Sequence, residues 1–235
     1  MRHFVGIRSN VEFRGAIEMK SSIKALVFAL VSVFTLSACV ASPPYDYSAL
    51  IAAKPRSILV VPPANNSIEV NAPYIYLSTI SRPLGEKGYY VFPVSLIDHF
   101  LKENGLPTPA EMNSIPLDKI RENIGADAVL YVTIDNWGQK YQLISSKTVV
   151  SATLKLIDTR SGQKLWGAKV YGEKSSDGGN NGLIGALISA AVDQIAGSLV
   201  DYTPQVARTA NYNSINDRTR GLLIGPYRTV KNNSN

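Results

Sequence analysis

Hydrophobic and polar positions divide the chain into an N-terminal export signal and a longer part that folds. The signal is an uncharged, mainly apolar run from Ala25 to Leu36, and it follows Lys20 and Lys24. A positive lead, an apolar core of about a dozen residues and small residues at a cut site are the parts of a secretory signal peptide. The pattern therefore predicts that residues 1–38 are removed.

Cys39 is the only cysteine in the chain, and it lies where such a signal would be cut. The run Leu36-Ser37-Ala38-Cys39 resembles a bacterial lipobox, in which cleavage before the cysteine leaves its thiol free to be acylated. A transmembrane helix is one alternative, although the strongly apolar part is shorter than the roughly 20 residues that a span needs. A secreted protein with an idle cysteine is the other. We interpret Cys39 as the attachment point of a lipid anchor.

The sequence predicts four segments. Residues 1–38 hold the signal peptide and an N-terminal extension, because Met19 opens a normal signal sequence and is interpreted as the true start. Residues 39–54 form an extended, lipid-anchored tether, since prolines keep the chain out of a helix. Residues 55–202 form a single domain. Residues 203–235 form a polar C-terminal extension that is partly disordered.

The first half of the domain alternates short apolar strands with amphipathic helices. Uninterrupted apolar runs indicate strands that are buried on both faces of a sheet, and apolar residues at helical spacing indicate helices that cover it. One helix carries Tyr74, Leu77, Ile80 and Leu84 on the face toward the sheet and is broken or ended near Arg82-Pro83. The predicted order is strand 57–61, helix 73–88, strand 89–94, helix 96–103, a helical piece near Ala110, helix 117–124 and strand 126–134.

The second half of the domain has the period of antiparallel strands. Within 148–158, apolar Val150, Ala152, Leu154 and Leu156 alternate with polar residues, which is typical of a strand with one wet face. Strands are predicted at 139–144, 148–158 and 164–173, with Trp166 facing inward, and a helix is predicted at 183–200. The fold class is therefore α/β, a sandwich of two or three layers whose mixed sheet begins with βαβ units and continues as an antiparallel meander.

Charge and composition exclude several kinds of function. The chain has a net charge of +6, but removal of the signal takes five basic and two acidic residues and leaves 19 basic against 16 acidic. This ordinary mixed surface is not the footprint of a nucleic-acid-binding protein. Acylation of Cys39 and removal of His3 would leave His99 as the only histidine, which excludes Cys–His catalysis and histidine–cysteine zinc sites.

Asp98-His99 is the one pair that a catalytic hypothesis could use. A lone histidine on a short helix is more often a structural residue, and the chain has no nucleophile elbow, P-loop or dinucleotide-binding glycine motif. We therefore expect a protein that is not an enzyme and has no cofactor or metal. The expected function is contact with a protein, through an interaction face formed by Tyr74, Tyr76, Leu222, Leu223, Ile224 and Tyr227.

Five parts of the sequence are informative when they are taken together: Pro55 to Asn65, Gly88 to Pro93, Gly125 to Val132, Trp137 and Asp158 to Trp166. They resemble a family of Gram-negative lipoproteins without an assigned function, one neisserial member of which is a surface antigen. It implies a fold like the N-terminal domain of the Tol protein TolB and the lipoprotein CsgG, and work in an envelope complex or transport system. It implies no catalytic residues. Val40, where an aspartate would favour the inner membrane, suggests the outer membrane, with the domain in the periplasm or at the cell surface.

Two classes of function stay open at this point. The first is an adaptor or assembly lipoprotein that binds an envelope protein or a second copy of itself, with a regulator of peptidoglycan synthases as a variant. The second is an envelope enzyme that uses Asp98 and His99.

Overall fold

The computed structural model describes residues 43–141, 146–175 and 201–228. Its contacts separate residues 1–44 from a second unit that begins at Tyr45, and the fold described below is that of the second unit. The predictions for the signal peptide, for Cys39, for the helix at 183–200 and for the last seven residues lie outside the described residues.

Helices and strands alternate in the first half, as the apolar pattern predicts. The helices among the described residues are α1 (Ser48–Ala53), α2 (Ala72–Glu86), α3 (Val94–Glu103), α4 (Pro109–Asn113), α5 (Leu117–Asn123) and α6 (Thr203–Ile215). The strands are β1 (Ser57–Val60), β2 (Ala64–Asn65), β3 (Tyr90–Val91), β4 (Ala128–Tyr141), β5 (Ser146–Asp158) and β6 (Lys164–Ser175).

The described strands form one mixed sheet in the order β3-β1-β4-β5-β6, and β2 pairs with the far part of β4. Strand β1 runs parallel to both β3 and β4, whereas β4, β5 and β6 form an antiparallel meander. The predicted mixed α/β fold is confirmed. The strand predicted at 126–134 and residues 139–141 of the strand predicted at 139–144 belong to one strand, β4, which continues through a register shift between Ile134 and Asn136.

The sheet is covered by helices on both faces around β1 and β4. Ile58 and Val60 of β1 belong to a core with α1, α2 and α6, whereas Leu59 and Val61 belong to a second core with α3, α4 and α5. This explains the uninterrupted apolar run at the start of the domain, because a strand between two helical layers is buried on both faces. On β5, Leu154 is buried and Lys155 is exposed, so the predicted wet face is confirmed.

Helix α2 runs through Pro83, so the predicted break at Arg82-Pro83 is wrong. A proline inside a helix lacks one N–H and costs about 3 kcal/mol or more. Pro83 and Leu84 are both buried, and the apolar contacts of this last turn offset that cost. Of the four residues predicted on the inward face, Tyr74 is wrong, because it is 42% exposed and Tyr76 is buried in its place.

Both ends of the domain extend beyond the predicted boundaries. The prediction of an extended tether is wrong from Tyr45 onward: α1 buries Leu50 in the core, and the Tyr45 hydroxyl accepts a hydrogen bond from the Gly167 N–H at 2.9 Å. We call Tyr45–Ala53 the strap. The boundary at residue 202 is wrong as well, because α6 buries Val206 and Ala210 against the first core.

No helix within residues 43–141, 146–175 and 201–228 has the length and apolar character needed to cross a membrane.

Candidate interaction surfaces

The loop between β2 and α2 displays two bare aliphatic side chains. We call Asn65–Asn71 the distal loop. Ile68 is 93% exposed and Val70 is 82% exposed, the two largest exposed fractions among the large hydrophobic residues that the structure describes. Burial of such a side chain is worth about 1.5–3 kcal/mol, so the pair forms an apolar tip that would gain free energy in contact with another molecule.

Hydrogen bonds fix the backbone of the distal loop. The Asn65 Oδ1 accepts hydrogen bonds from the Ser67 N–H at 3.0 Å and from the Ser67 Oγ–H at 2.7 Å. The Asn65 Nδ2–H donates to the Glu69 carbonyl at 2.8 Å, and the Asn66 N–H donates to the Ile134 carbonyl of β4 at 2.9 Å. Side-chain bonds of this kind hold a turn in one conformation, so the two aliphatic residues are presented by a preorganised loop.

The distal loop lies at the carboxyl end of the parallel strands, beside a cavity. Strand β2 pairs with β4 from Ala64 opposite Thr133, and the chain then leaves the sheet. Open α/β sheets usually place ligand sites at this end. The cavity has a volume of about 380 Å³. It is lined by Glu69, Asn71, Ala72, Ile75, Trp137, Gly138, Gln139, Asp201 and Thr203. Within the described part of the chain, no cluster of histidine, cysteine, aspartate or glutamate is suited to hold a metal ion.

Two residues of the predicted interaction face are core residues, so their assignment to that face is wrong. Tyr76 has no exposed surface and its hydroxyl donates to the Asn211 Oδ1, which itself lies on α6. Burial raises the pKa of Tyr76 above its usual value. Leu222 is 2% exposed. The buried network between α2 and α6 is completed by a bond from the Asn211 Nδ2–H to Thr79.

The other four predicted residues lie in two separate places. Tyr74 is on α2, with the Lys102 Nζ 4.8 Å from its ring centroid. The second place is the segment after α6, which holds Leu223, Ile224 and Tyr227. Tyr227 lies near the start of β1, where the Arg56 guanidinium is 5.5 Å from the centre of its ring. Ile224 is 58% exposed and Tyr227 is 53% exposed, so this second surface is available for contact.

The surface around Tyr227 is fixed by close backbone contacts with the turn before β3. The Gly225 N–H donates to the Lys87 carbonyl at 2.8 Å, and the Tyr227 N–H donates to the Gly88 carbonyl at 2.9 Å. Gly88 has a φ of +92°, and a Cβ there would lie 2.5 Å from the Arg228 nitrogen. Only glycine meets both conditions, so the approach of the C-terminal segment requires a glycine at position 88.

The end of the sheet at which β1 and β4 begin also holds the β5–β6 turn, and we call it the basal end. Asp127 joins these parts by hydrogen bonds. Its Oδ2 accepts hydrogen bonds from the N–H groups of Arg56 and Ser57 at 2.9 and 3.2 Å, and its Oδ1 accepts from Arg160 at 3.1 Å. Partial burial opposes ionisation of this carboxyl, but these bonds and the Arg160 charge outweigh it and lower the pKa of Asp127.

Asp98 and His99 each pair with the residue one turn further along α3. The Asp98 Oδ2 lies 2.6 Å from the Lys102 Nζ, and the His99 Nε2 lies 3.1 Å from the Glu103 Oε1. The His99 side chain is 69% exposed. Pairs at this spacing are common on helix surfaces, and neither pair includes a serine, threonine or cysteine that His99 could activate.

The sequence interpretation missed Ile68 and Val70. Ser67-Ile68-Glu69-Val70-Asn71 has the apolar–polar alternation of a strand, but it is bounded by asparagines and followed by Pro73, which favour a turn and the start of a helix. One feature could have predicted their exposure: they are strand-like apolar residues in a segment that has turn signals on both sides.

Comparison with known proteins places this domain in a family. The family model described as "Putative lipoprotein GNA1162-like" matches residues 45–227. Lipoprotein NMB1124/NMB1162 of Neisseria meningitidis serogroup B is 42% identical over 207 residues, which cover 87% of this chain and 96% of that protein.

Solved structures give the same family and more distant likenesses. The crystal structure of lipoprotein GNA1162 from Neisseria meningitidis matches with a TM-score of 0.52 at 42% identity, covering 61% of this chain and all (100%) of that one. A PelC dodecamer from Paraburkholderia phytofirmans is 17% identical with a TM-score of 0.41, covering 68% and 86% of the two chains. The LpoB C-terminal domain from Salmonella enterica is 17% identical with a TM-score of 0.33, covering 61% and 92%. The predicted family resemblance is confirmed, and this chain belongs to the GNA1162-like lipoprotein family.

Proposed function

We propose that this chain is a lipid-anchored envelope protein whose domain acts as a non-catalytic adaptor and binds a protein partner through the distal loop. Membership of a lipoprotein family and the lipobox at Leu36-Ser37-Ala38-Cys39 support the anchor. One observation carries the proposed binding role: a loop with a fixed backbone holds Ile68 and Val70 in water.

The energetics favour recognition by the distal loop. Burial of two aliphatic side chains in a partner would contribute roughly 3–6 kcal/mol before the costs of association. Binding also requires the ordering of loops, and this cost is small for a loop whose turns are already hydrogen-bonded. A folded protein gains nothing from the exposure of this pair, so a contact that covers it is the simplest physical reason for its presence.

The position of the lipid anchor determines the compartment in which the partner must lie. Val40 after the cysteine favours the outer membrane, with the domain in the periplasm or at the cell surface. The partner is an envelope protein, and a second copy of this chain is one form that it can take. A peptidoglycan synthase regulated by this chain is the alternative within the same class.

A paired substitution tests the binding role. Cells would carry the full chain as wild type, as Ile68→Ser/Val70→Ser, or as the control Ile224→Ser/Tyr227→Ser, which removes exposed apolar surface at the other candidate. After cross-linking and isolation from envelope fractions, we expect wild type and the control to retain one discrete protein adduct and the distal-loop variant to lose it. Equal adducts in all three would contradict the role of the distal loop, and the mass of the adduct separates self-association from a synthase.

The enzyme alternative has its own test. His99→Ala removes the side chain that it requires, while the position is exposed and tolerates the change. We expect the same adduct and the same envelope phenotype as wild type. An envelope defect in cells that carry His99→Ala, with the adduct still formed, would instead support a catalytic role for Asp98 and His99.

A further inference from the structure

The strap fixes where the lipid anchor joins the domain. Only residues 40–44 separate Cys39 from Tyr45, and Tyr45 is already bonded to the domain through Gly167. Six residue steps of a fully extended chain span about 20 Å. An acyl group on Cys39 would therefore keep the face on which the strap docks close to the bilayer surface.

The strap docks at the β6 edge of the sheet, at the basal end. The Tyr47 hydroxyl donates to the Gly221 carbonyl at 2.6 Å, next to the residue whose carbonyl accepts the Trp166 Nε1–H at 2.9 Å. The distal loop lies at the opposite end, because β2 pairs with β4 near Ile134 while the basal end lies at Ala128. Six residues of strand separate these two levels by about 20 Å.

Three cations lie on the two segments that the strap contacts, β6 and the segment that follows α6. Lys164, Arg218 and Arg220 are exposed, and among the described residues none of the three is in an ion pair. Lys164 is beside the docked tyrosine, since a Cβ on Gly167 would lie 3.1 Å from its Nζ.

Two acidic residues, Asp46 and Asp217, lie in the same region. Hydrogen bonds from Ser48 and from Thr219 lower the pKa of these carboxyls, so both stay ionised and the three cations exceed them by one charge. One oxygen of Asp46 accepts a hydrogen bond from the Ser48 N–H at 2.9 Å, and one oxygen of Asp217 accepts from the Arg220 N–H at 2.7 Å. Helix α1 adds an apolar residue, because Ile51 is 58% exposed while Leu50 faces the core. Exposed cations with an aliphatic residue are the composition of surfaces that rest on anionic lipid.

We propose that the strap and the residues around it form a membrane-facing surface, in which Lys164, Arg218 and Arg220 contact lipid phosphates and Ile51 enters the headgroup region. This inference rests on the proposed acylation of Cys39. It gives the domain a defined orientation in which the distal loop points away from the bilayer, toward a partner.

Spin labels on the acylated full chain test this orientation. Because acylation would block Cys39, Ile51→Cys and Ile68→Cys each provide one thiol for labelling, at two exposed isoleucines. On phosphatidylcholine vesicles containing phosphatidylglycerol, we expect the label at position 51 to be several-fold less accessible to an aqueous nickel chelate than the label at position 68. Arg218→Gln/Arg220→Gln is expected to reduce the ratio of molecules whose strap surface rests on the bilayer to molecules whose strap surface is free, about fivefold per arginine.

The controls separate the anchor from the orientation. Arg121→Gln/Arg208→Gln removes two exposed cations elsewhere and is expected to leave the protection of position 51 unchanged. Equal accessibility at positions 51 and 68, with acyl chains found on Cys39 by mass spectrometry, would overturn the membrane-facing surface and leave the anchor. Protection that is insensitive to phosphatidylglycerol and to the arginine substitutions would overturn the phosphate contacts. A bare Cys39 thiol and no vesicle association would overturn the anchor and the orientation together.

Discussion

The basal end and the distal loop use polar groups for opposite purposes. At the basal end, Tyr47 and Trp166 place their rings against the domain, and their polar atoms bond to backbone carbonyls of the C-terminal segment. In the distal loop, Asn65 and Ser67 bond to the backbone of their own loop, and the apolar side chains are left in water. The basal end buries its apolar surface in the fold, whereas the distal loop leaves its apolar side chains in water, where we propose that a partner covers them.

This difference assigns stability to the basal end and, in our proposal, recognition to the distal loop. Apolar groups removed from water at the basal end contribute to the free energy of unfolding, whereas groups exposed in the folded and unfolded states contribute almost nothing to it. Substitutions at the two regions should therefore affect different measurements, and the predictions below run from the largest expected change in stability to the smallest.

Trp166→Ala should have the largest effect. Trp166 is fully buried and also bonds to the Arg220 carbonyl, so its removal leaves a cavity and an unpaired acceptor. We expect a loss of about 3–5 kcal/mol in the free energy of unfolding, measured by urea denaturation. The matched truncation Ile68→Ala should cost no more than about 0.5 kcal/mol. Similar losses for the two variants would contradict the view that the basal end, and not the distal loop, stabilises the fold.

Asp127→Ala should have an intermediate effect that depends on pH. It leaves the N–H groups of Arg56 and Ser57 without their acceptor, and we expect a loss of about 1–2 kcal/mol at neutral pH. The control Glu86→Ala breaks an exposed ion pair and should cost less than about 1 kcal/mol.

The pH dependence of this loss follows from the lowered pKa of Asp127. A carboxyl with a pKa below its ordinary 3.8 stabilises the fold fully above that value and loses the contribution as the pH falls through the lowered pKa. The gap in stability between wild type and Asp127→Ala should therefore be constant from neutral pH to about pH 5 and narrow below pH 4. A gap that widens in acid would show that the carboxylate is not the stabilising form.

Tyr45→Phe should have a smaller effect, confined to the strap. The change keeps the ring but removes the acceptor of the Gly167 N–H, and we expect a loss of about 1 kcal/mol. Faster chymotryptic cleavage after Tyr47, inside the strap, would report the loosened strap. Tyr212→Phe, at a tyrosine that is 51% exposed, is the control and should change neither quantity.

Much of the sheet could be predicted because its signal is local. The alternation through Val150, Ala152, Leu154 and Leu156 marks a strand with one covered face, and the continuous run from Ile58 to Val61 marks a strand covered on both. Helix α6 was missed because its inward face is built partly from small or polar residues, such as Ala207, Ala210 and Asn211, which give a weak apolar pattern.

The remaining errors come from contacts between residues far apart in the sequence. The prolines before the strap favour an extended chain, but hydrogen bonds from Tyr45 to Gly167 and from Tyr47 to Gly221 hold it on the domain. Tyr76 has the side chain of an interface residue, and its burial follows from a partner, Asn211, that no local pattern reveals. Exposure of Ile68 is likewise a property of the whole fold. The turn signals around it predict a loop, but they do not predict which side chains of that loop stay in water.

Ile68→Ser/Val70→Ser should have the smallest effect on stability. Both side chains are already in water, and we expect the free energy of unfolding to change by less than about 0.5 kcal/mol. Urea denaturation checks this. A loss above about 2 kcal/mol would mean that the distal loop packs on the domain and is not an interaction surface.

A photo-cross-linking amino acid in living cells tests the central claim most directly. It would replace Ile68, Ile51 or Ile224, one position at a time, in the full chain, and each of these side chains is more than half exposed. We predict a discrete protein adduct from position 68 and none of that mass from positions 51 and 224. A protein adduct from position 51 or 224 with none from position 68 would contradict the account, because the partner would then bind the basal end.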